Sequence, residues 1–336
     1  MKSNMAVKAA AFATALSLVL SGCSSDDSST DEDTTTDQNT DTTAADGDKG
    51  SETGDLSAAE IAQAITDECA NYEGTKGIEG NVIKLGSVHP ESGKYAPYAT
   101  VLQGFKAFIE YTNSNGGITA GDGKQYTLEM VSADDEYNPA NTMAATKRLV
   151  EEEGIFAMVG QIGTENVGQV RDYMNESCVP SISIASGATR WGNSVSYPWY
   201  ISGLPAYALE AHAYIEHLKE TKPNAKIALL YQDDDYGKSY KAAIEIAIEG
   251  TDITVAEERA FNPLNEASSE VKVAELAASG ADVFFVGMGG LPCPQAVGQV
   301  PATWTPETFV SITCSADVLT KLMDPKGLDL WAVKGF

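Results

Sequence analysis

Positive charge is scarce in this chain: 22 Lys and Arg stand against 48 Asp and Glu among 336 residues, a formal charge of −26. Nucleic acid is recognised through a basic face that neutralises phosphates, so that class of partner is excluded. Histidine is scarcer still, at three residues. Two of them, His212 and His217, lie five apart, about 140° around a helix, and make a poor metal pair. No Ser sits in a Gly-x-Ser-x-Gly elbow, and no Gly-x-x-x-x-Gly-Lys-Ser/Thr loop is present. Gly287-Met288-Gly289-Gly290 follows an apolar run but lacks the third glycine of a dinucleotide fingerprint. The acidic runs Asp134-Asp135-Glu136 and Asp233-Asp234-Asp235 lack the spacing of a calcium loop. The expectation is a protein that is not an enzyme and holds neither metal nor cofactor. A hydrophobic fraction of 43% nevertheless calls for a packed core.

Long apolar runs are also missing. Lys2 and Lys8 lead into an apolar stretch from Ala9 to Leu20, too short to span a bilayer and right for the hydrophobic part of an export signal. It ends in Leu20-Ser21-Gly22-Cys23, which resembles the lipobox of bacterial lipoproteins. That resemblance implies a signal over 1–22, a diacylglyceryl group on Cys23 and an extracytoplasmic, lipid-anchored location. An ordinary secretory signal with a coincidental Cys is the competing reading. Residues 24–55 then carry eleven acids against Lys49 alone and no aromatic residue. Such a segment cannot bury enough apolar surface to offset the entropy of ordering, so 23–55 is expected to be a disordered, self-repelling tether and 56–80 an N-terminal extension.

Cysteine is sparse, at five residues. Setting Cys23 aside leaves Cys69, Cys178, Cys293 and Cys314, an even number in an exported chain, with three possible pairings. Cys69 and Cys178 precede predicted strands of one half, whereas Cys293 and Cys314 follow predicted strands of the other. Only the pairing 69–178 with 293–314 keeps each bond on one side of a sheet.

From Asn81 onward strands and helices alternate. Strands are predicted near 81–88, 126–132, 155–159 and 179–185, then 226–231, 253–261, 282–286 and 309–313. Helices are predicted from the stripe Val101, Phe105, Phe108, Ile109 and Thr112, over 138–154 behind Asn138-Pro139, and at 165–177, 207–220, 238–248, 269–279, near Gln295 and at 316–323. Repeated βα units imply parallel sheets flanked by helices, with ligands gathering at the carboxyl ends of the strands. The loops there are small and rich in donors. Gly160-Gln161-Ile162-Gly163-Thr164 and Ala185-Ser186-Gly187-Ala188-Thr189 leave backbone N–H groups near helix starts, which suits a carboxylate. The first strand leads to Ser92-Gly93-Lys94-Tyr95-Ala96-Pro97-Tyr98, which supplies aromatics to cover a ligand.

The order of Ile83-Lys84-Leu85-Gly86, Ser92-Gly93 with Tyr95, Gly104, Asn115-Gly116-Gly117-Ile118, Asp134-Asp135 with Asn138-Pro139-Ala140, Val159-Gly160, Pro180 through Ala185-Ser186, and Asp235-Tyr236-Gly237 resembles the leucine/isoleucine/valine-binding proteins. These are type I periplasmic binding proteins that serve ATP-binding-cassette importers. The resemblance covers roughly the last three quarters of the chain. It implies two Rossmann-like lobes, 81–202 and 203–336, that close on one small ligand. Residue by residue it implies that Thr164, after Gly163, and the Gly187 N–H hold a ligand carboxylate, that Ala185 and Ser186 line the pocket, and that Tyr95 or Tyr98 walls it. From the second lobe Tyr236 matches a pocket tyrosine, with Gly289 and Gly290 where a second one falls. The loop that carries an ammonium-binding acid in that family reads Ser311-Ile312-Thr313-Cys314, with no carboxylate until Asp317. Each of these residues also has a purely structural role open to it: Thr164 as a helix cap, Gly187 as a turn glycine, the tyrosines as packing.

The expected function is capture of a small polar solute, amino acid-like, amide or carboxylate, for a permease of the ATP-binding-cassette class. A surface sensor, and a structural lipoprotein with a vestigial cleft, are the alternatives. The resembled family returns to its first lobe after the second, so the stop at Phe336 is read as a truncated C-terminus with the first lobe's return helices missing.

Overall fold

The computed structural model describes residues 69, 74–323 and 327–333, all within the compact unit Thr53–Phe336. The expected signal, Cys23, the acidic tether and most of the 56–80 extension lie outside the described residues.

Two sheets organise the chain. The first contains β1 (Ile78–Glu79), β2 (Val82–His89), β3 (Ile118–Thr119), β4 (Gln125–Asp134), β5 (Ala157–Val159), β6 (Ser181–Ile184) and β7 (Tyr200–Ser202). Its order is β3-β4-β2-β5-β6-β7, with β1 antiparallel to β2. The β2–β4 pair is its longest ladder, parallel from Val82↔Thr127 to His89↔Asp134. The second sheet is wholly parallel: β8 (Lys226–Gln232), β9 (Thr254–Phe261), β10 (Val283–Gly287), β11 (Glu307–Val310) and β12 (Leu330–Ala332), in the order β12-β11-β10-β8-β9. The helices between are α1 (Ala99–Ser114), α2 (Pro139–Glu151), α3 (Thr164–Glu176), α4 (Tyr207–Thr221), α5 (Asp235–Ala247), α6 (Glu270–Ala277), α7 (Pro292–Gly298) and the short α8 (Asp317–Thr320).

The second sheet shows why its strands read as unbroken apolar runs. Successive side chains of a strand point to opposite faces. Ile227, Leu229, Val283, Phe285 and Phe309 pack with Tyr214, Leu218, Tyr240 and Ile244 of α4 and α5. Their chain neighbours Ala228, Leu230, Phe284, Val286 and Val310 pack with Val273, Leu276 and Val297 of α6 and α7. A parallel sheet covered on both faces has no polar side to alternate with. The first sheet has its own core, built on Val88, Ile155, Met158, Val167, Met174, Ile184 and Trp191. Local signals set the helix starts: the Asn138 side chain accepts from the Ala140 N–H ahead of α2, and Asp234 accepts from the Gly237 N–H ahead of α5.

Two disulfides are present, Cys69–Cys178 and Cys293–Cys314. The second ties α7 to the 3₁₀ turn Ile312–Cys314.

Several elements depart from expectation. The strand placed at 309–313 runs instead over Glu307–Val310, because the chain turns at once into the 3₁₀ segment Ile312–Cys314. The helix placed at 316–323 shrinks to Asp317–Thr320. On α1 the buried line runs through Leu102 and Ile109, while Phe108, assigned to the same stripe, is 62% exposed. The strands β1, β3 and β7 are two or three residues long, too short to leave a periodic signature.

Candidate functional site

Six strands, three from each sheet, deliver their carboxyl ends to one place. Beyond β2 the chain enters a 3₁₀ segment, Gly93–Tyr98. Beyond β5 it reaches Ile162-Gly163-Thr164, and beyond β6 Ala185, which bridges to Ile162. From the second sheet, β8 leads to Tyr236, β10 to Gly289 and β11 to the 312–317 turn. Between them lies a cavity of about 380 Å³.

Its wall contains seven of the sequence-predicted site residues: Tyr98, Gly163, Thr164, Ala185, Tyr236, Gly289 and Thr313. Tyr95, Ser186 and Gly187 are not among the lining residues, so of the pair Tyr95 or Tyr98 it is Tyr98 that borders the cavity. Tyr95 is 1% exposed, its ring stacked on Tyr137 at 3.7 Å between centroids, and its hydroxyl donates to Gln232 Oε1 at 2.6 Å. Ser186 turns inward: its Oγ accepts from the Trp191 indole at 2.8 Å and shares a 2.8 Å hydrogen bond with Thr164 Oγ1. Gly187 packs against Tyr207, its carbonyl accepting from the Tyr207 N–H at 2.8 Å, and a Cβ there would strike the Pro205 carbonyl at 2.2 Å.

The hydroxyls of Tyr98 and Tyr236, which line the cavity, are partnered. Tyr98 donates to the Thr313 carbonyl at 2.8 Å and accepts from the Gly290 N–H at 2.7 Å. Tyr236 donates to Ser311 Oγ at 2.7 Å and lies 2.6 Å from Thr313 Oγ1. Burial pushes the Tyr98, Tyr137 and Tyr236 phenols upward, so they remain neutral donors. Burial does the same to Tyr207, opposed by hydrogen bonding from the Gly187 N–H and the Ser186 and Thr164 hydroxyls. Gly290 is placed by geometry: its φ is +58°, and a Cβ would sit 2.7 Å from the Tyr95 ring and 2.8 Å from the Lys94 carbonyl.

Sequence reasoning missed Tyr137, Tyr207, Leu204, Ile312, Ser315 and Asp317, all of which line the cavity. Tyr137 follows β4 in a left-handed conformation, φ +61°, that no periodicity signals. Asp317, the first carboxylate after the loop Ser311–Cys314, enters the wall because the 3₁₀ turn shortens the path from β11. Its side chain is exposed. Among the described residues no group of three or more His, Cys, Asp or Glu is placed to hold a metal ion.

Two α/β sheets with a cavity at their strand carboxyl ends define a solute-binding fold. A family model described as periplasmic binding protein matches residues 82–330, and the chain belongs to that family. Its fold is that of the type I, leucine/isoleucine/valine-binding members. Solved structures agree at low identity. A substrate-binding periplasmic protein from Ralstonia solanacearum is 23% identical, with TM-score 0.64, over 71% of this chain and 66% of that one. The branched-chain amino acid transporter substrate-binding protein LivJ from Streptococcus pneumoniae, in complex with isoleucine, is 20% identical, with TM-score 0.63, over 75% and 70%. A solute-binding protein of an ABC transporter from R. palustris, in complex with 4-hydroxybenzoate, is 21% identical, with TM-score 0.62, over 72% and 65%. The chain thus spans about two thirds of the length of these structures. A search of curated proteins found no match.

Proposed function

We propose that the protein is a non-enzymatic, extracytoplasmic receptor that encloses one small solute between lobes 81–202 and 203–336 and presents the closed form to an ATP-binding-cassette permease. The observation that carries this reading is the cavity itself: its wall is drawn from both sheets, and hydrogen bonds cross directly over it. Lys94 adds to that crossing, its Nζ donating to the Glu266 carbonyl at 2.7 Å and also to the Pro263 carbonyl, while Leu291 N–H donates to the Lys94 carbonyl at 2.9 Å. Arg190 joins Asp235 at 2.9 Å. Contacts of this kind exist only when the lobes are together, so a solute that fills the cavity shifts the population toward the closed shape. Tyr98, Gly163, Thr164, Ala185, Tyr236, Gly289 and Thr313 form the binding surface in this reading, with lipid on Cys23 as the membrane attachment.

A thermal-shift screen of amino acids, amides, polyamines and short organic acids tests it. A ligand at a hundredfold over its Kd stabilises by about 2.7 kcal/mol, enough for a clear rise in midpoint. A saturable rise with one chemical class supports capture; no saturable rise across the library contradicts it. Metabolic labelling with an alkyne fatty acid, lost in Cys23→Ser, tests the anchor.

A further inference from the structure

Resting on the reading of this cavity as a solute site, we propose that Asp135, which is not part of the wall, is the positioning residue for two stretches of it, the ring of Tyr137 and the corner Gly163-Thr164. Asp134-Asp135-Glu136 is an acidic run without the spacing of a calcium loop, and its middle residue has a different task. Asp135 follows β4 and is fully buried. Its carboxylate binds in two directions. Oδ1 accepts from the Tyr137 N–H at 2.9 Å. Oδ2 accepts from Thr142 Oγ1 of α2 at 2.7 Å and from Asn166 Nδ2 of α3 at 3.3 Å. Asn166 Nδ2 also donates to Thr142 Oγ1 at 2.9 Å, which closes the three side chains into one buried cluster.

The Tyr137 side of this cluster has to be held. Glu136 and Tyr137 have φ of +53° and +61°, two successive non-glycine residues in the left-handed region that side chains disfavour. Each has its N–H bound by the carboxylate two residues before it, Glu136 by Asp134 Oδ1 at 2.9 Å and Tyr137 by Asp135. Asp134 is exposed, so water can stand in for its carboxylate, whereas Asp135 lies where water does not reach. The Asn166 side sets the other stretch of wall. Asn166 is the third residue of α3, and a Cβ on Gly163 would sit 2.7 Å from its Oδ1 and 3.0 Å from the Tyr137 ring. Tyr137, Gly163 and the Asn166 amide thus pack with no room to spare. The effect reaches the second sheet, because Tyr137 stacks on Tyr95 and the Tyr95 hydroxyl donates to Gln232 at the end of β8.

Fluorine NMR of the whole chain labelled with 3-fluorotyrosine tests this without any solute, so its failure is separate from failure of solute capture. The Tyr95 and Tyr137 signals are identified by their loss in Tyr95→Phe and Tyr137→Phe. Asp135→Asn keeps the shape of the side chain and turns one acceptor into a donor. It should shift both signals by more than a linewidth and leave that of Tyr200, in the core built on the first sheet, in place. Thr142→Val removes one donor to Asp135 and keeps the carboxylate, so it should shift Tyr137 in the same direction by less. This second variant decides the matter if Asp135→Asn does not fold. Val170→Ala, a truncation in that same core, is the control for general support: it should lower the urea midpoint and leave Tyr95 and Tyr137 unmoved. A Tyr137 signal that stays in place in folded Asp135→Asn or in Thr142→Val overturns the proposal. So does a Tyr200 shift in Asp135→Asn, or a Tyr137 shift in Val170→Ala, as large as the Tyr137 shift in Asp135→Asn, since Asp135 would then support the whole core rather than place one ring.

Discussion

The hydroxyl of Tyr98 donates to the carbonyl of Thr313 at 2.8 Å, although 215 residues separate them in the chain. Tyr98 comes from the 3₁₀ segment after β2 and Thr313 from the turn after β11, so one hydrogen bond joins the two sheets over the cavity. The same oxygen accepts from the Gly290 N–H, beyond β10. Tyr98→Phe removes both bonds and leaves a part-buried carbonyl and N–H without them. At about 1 kcal/mol for each bond, solute affinity should fall roughly ten- to thirtyfold by calorimetry, with a far-ultraviolet spectrum unchanged.

Gly290 sets how closely the segment Gly93–Tyr98 can approach β10. A side chain there is strained at φ +58° and meets the Lys94 carbonyl and Tyr95 ring inside contact distance. Gly290→Ala should therefore favour a form in which the sheets stand further apart. Small-angle scattering is expected to give a larger radius of gyration than wild type under saturating solute, and calorimetry at least a tenfold loss of affinity.

Glu210 lies behind the cavity, 6% exposed, with Tyr214 donating to it at 3.2 Å and Tyr240 donating to its other oxygen. Burial raises its carboxyl from the ordinary 4.5 to about 7. Between those values the folded protein keeps a proton that the unfolded chain has lost, so this group makes stability fall as pH rises from 4.5 toward 7 and leaves it level above. A difference of that size corresponds to about 3 kcal/mol. His89 acts in the opposite sense, since burial lowers its pKa and it must charge on unfolding in acid. The comparison that isolates Glu210 is urea unfolding of wild type and Glu210→Gln at pH 5 and pH 7.5. The variant's stability relative to wild type should improve by about 2 kcal/mol between the two, because at pH 5 the unfolded carboxyl has already lost most of its proton.

The two disulfides close loops of different length, with separations of 109 and 21 residues. Loop-closure entropy assigns them about 4.7 and 3 kcal/mol. Replacing Cys69 and Cys178 by Ser should lower stability more than replacing Cys293 and Cys314. The second pair flanks Thr313 through the 3₁₀ turn, however, so its loss should also weaken solute binding. Denaturant midpoints and calorimetry on the two double variants separate these effects.

Much of the fold was legible because burial on both faces of a parallel sheet leaves a mark: Ile227-Ala228-Leu229-Leu230 and Val283-Phe284-Phe285-Val286 are short apolar runs of strand length between helical stretches. Strand ends were legible too, since small residues such as Gly163, Ala185 and Gly289 follow them. The partners of the side chains were not. Tyr95 and Tyr98 share one short segment, yet Tyr95 stacks on Tyr137 whereas Tyr98 reaches the cavity, a division set by tertiary packing alone. Tyr207 begins a helix, and nothing local tells that its N–H meets the Gly187 carbonyl or that its side chain lines the cavity. The sequence puts Asp317 three residues beyond the loop Ser311–Cys314, and only the 3₁₀ turn Ile312–Cys314 shows that it reaches the cavity wall.

The central claim is that a solute sits between the two sheets, and blocking the cavity from each side in turn tests it most directly. Ala185 lies on the first sheet's side and Ala316 on the second's, and both line the cavity. Calorimetric titration of Ala185→Trp and Ala316→Trp with the solute identified by the thermal-shift screen is the measurement, on variants that still unfold cooperatively. The account predicts one-to-one binding in the wild type and its loss by at least a hundredfold in both variants. Wild-type affinity retained in either would place the solute elsewhere and contradict the account.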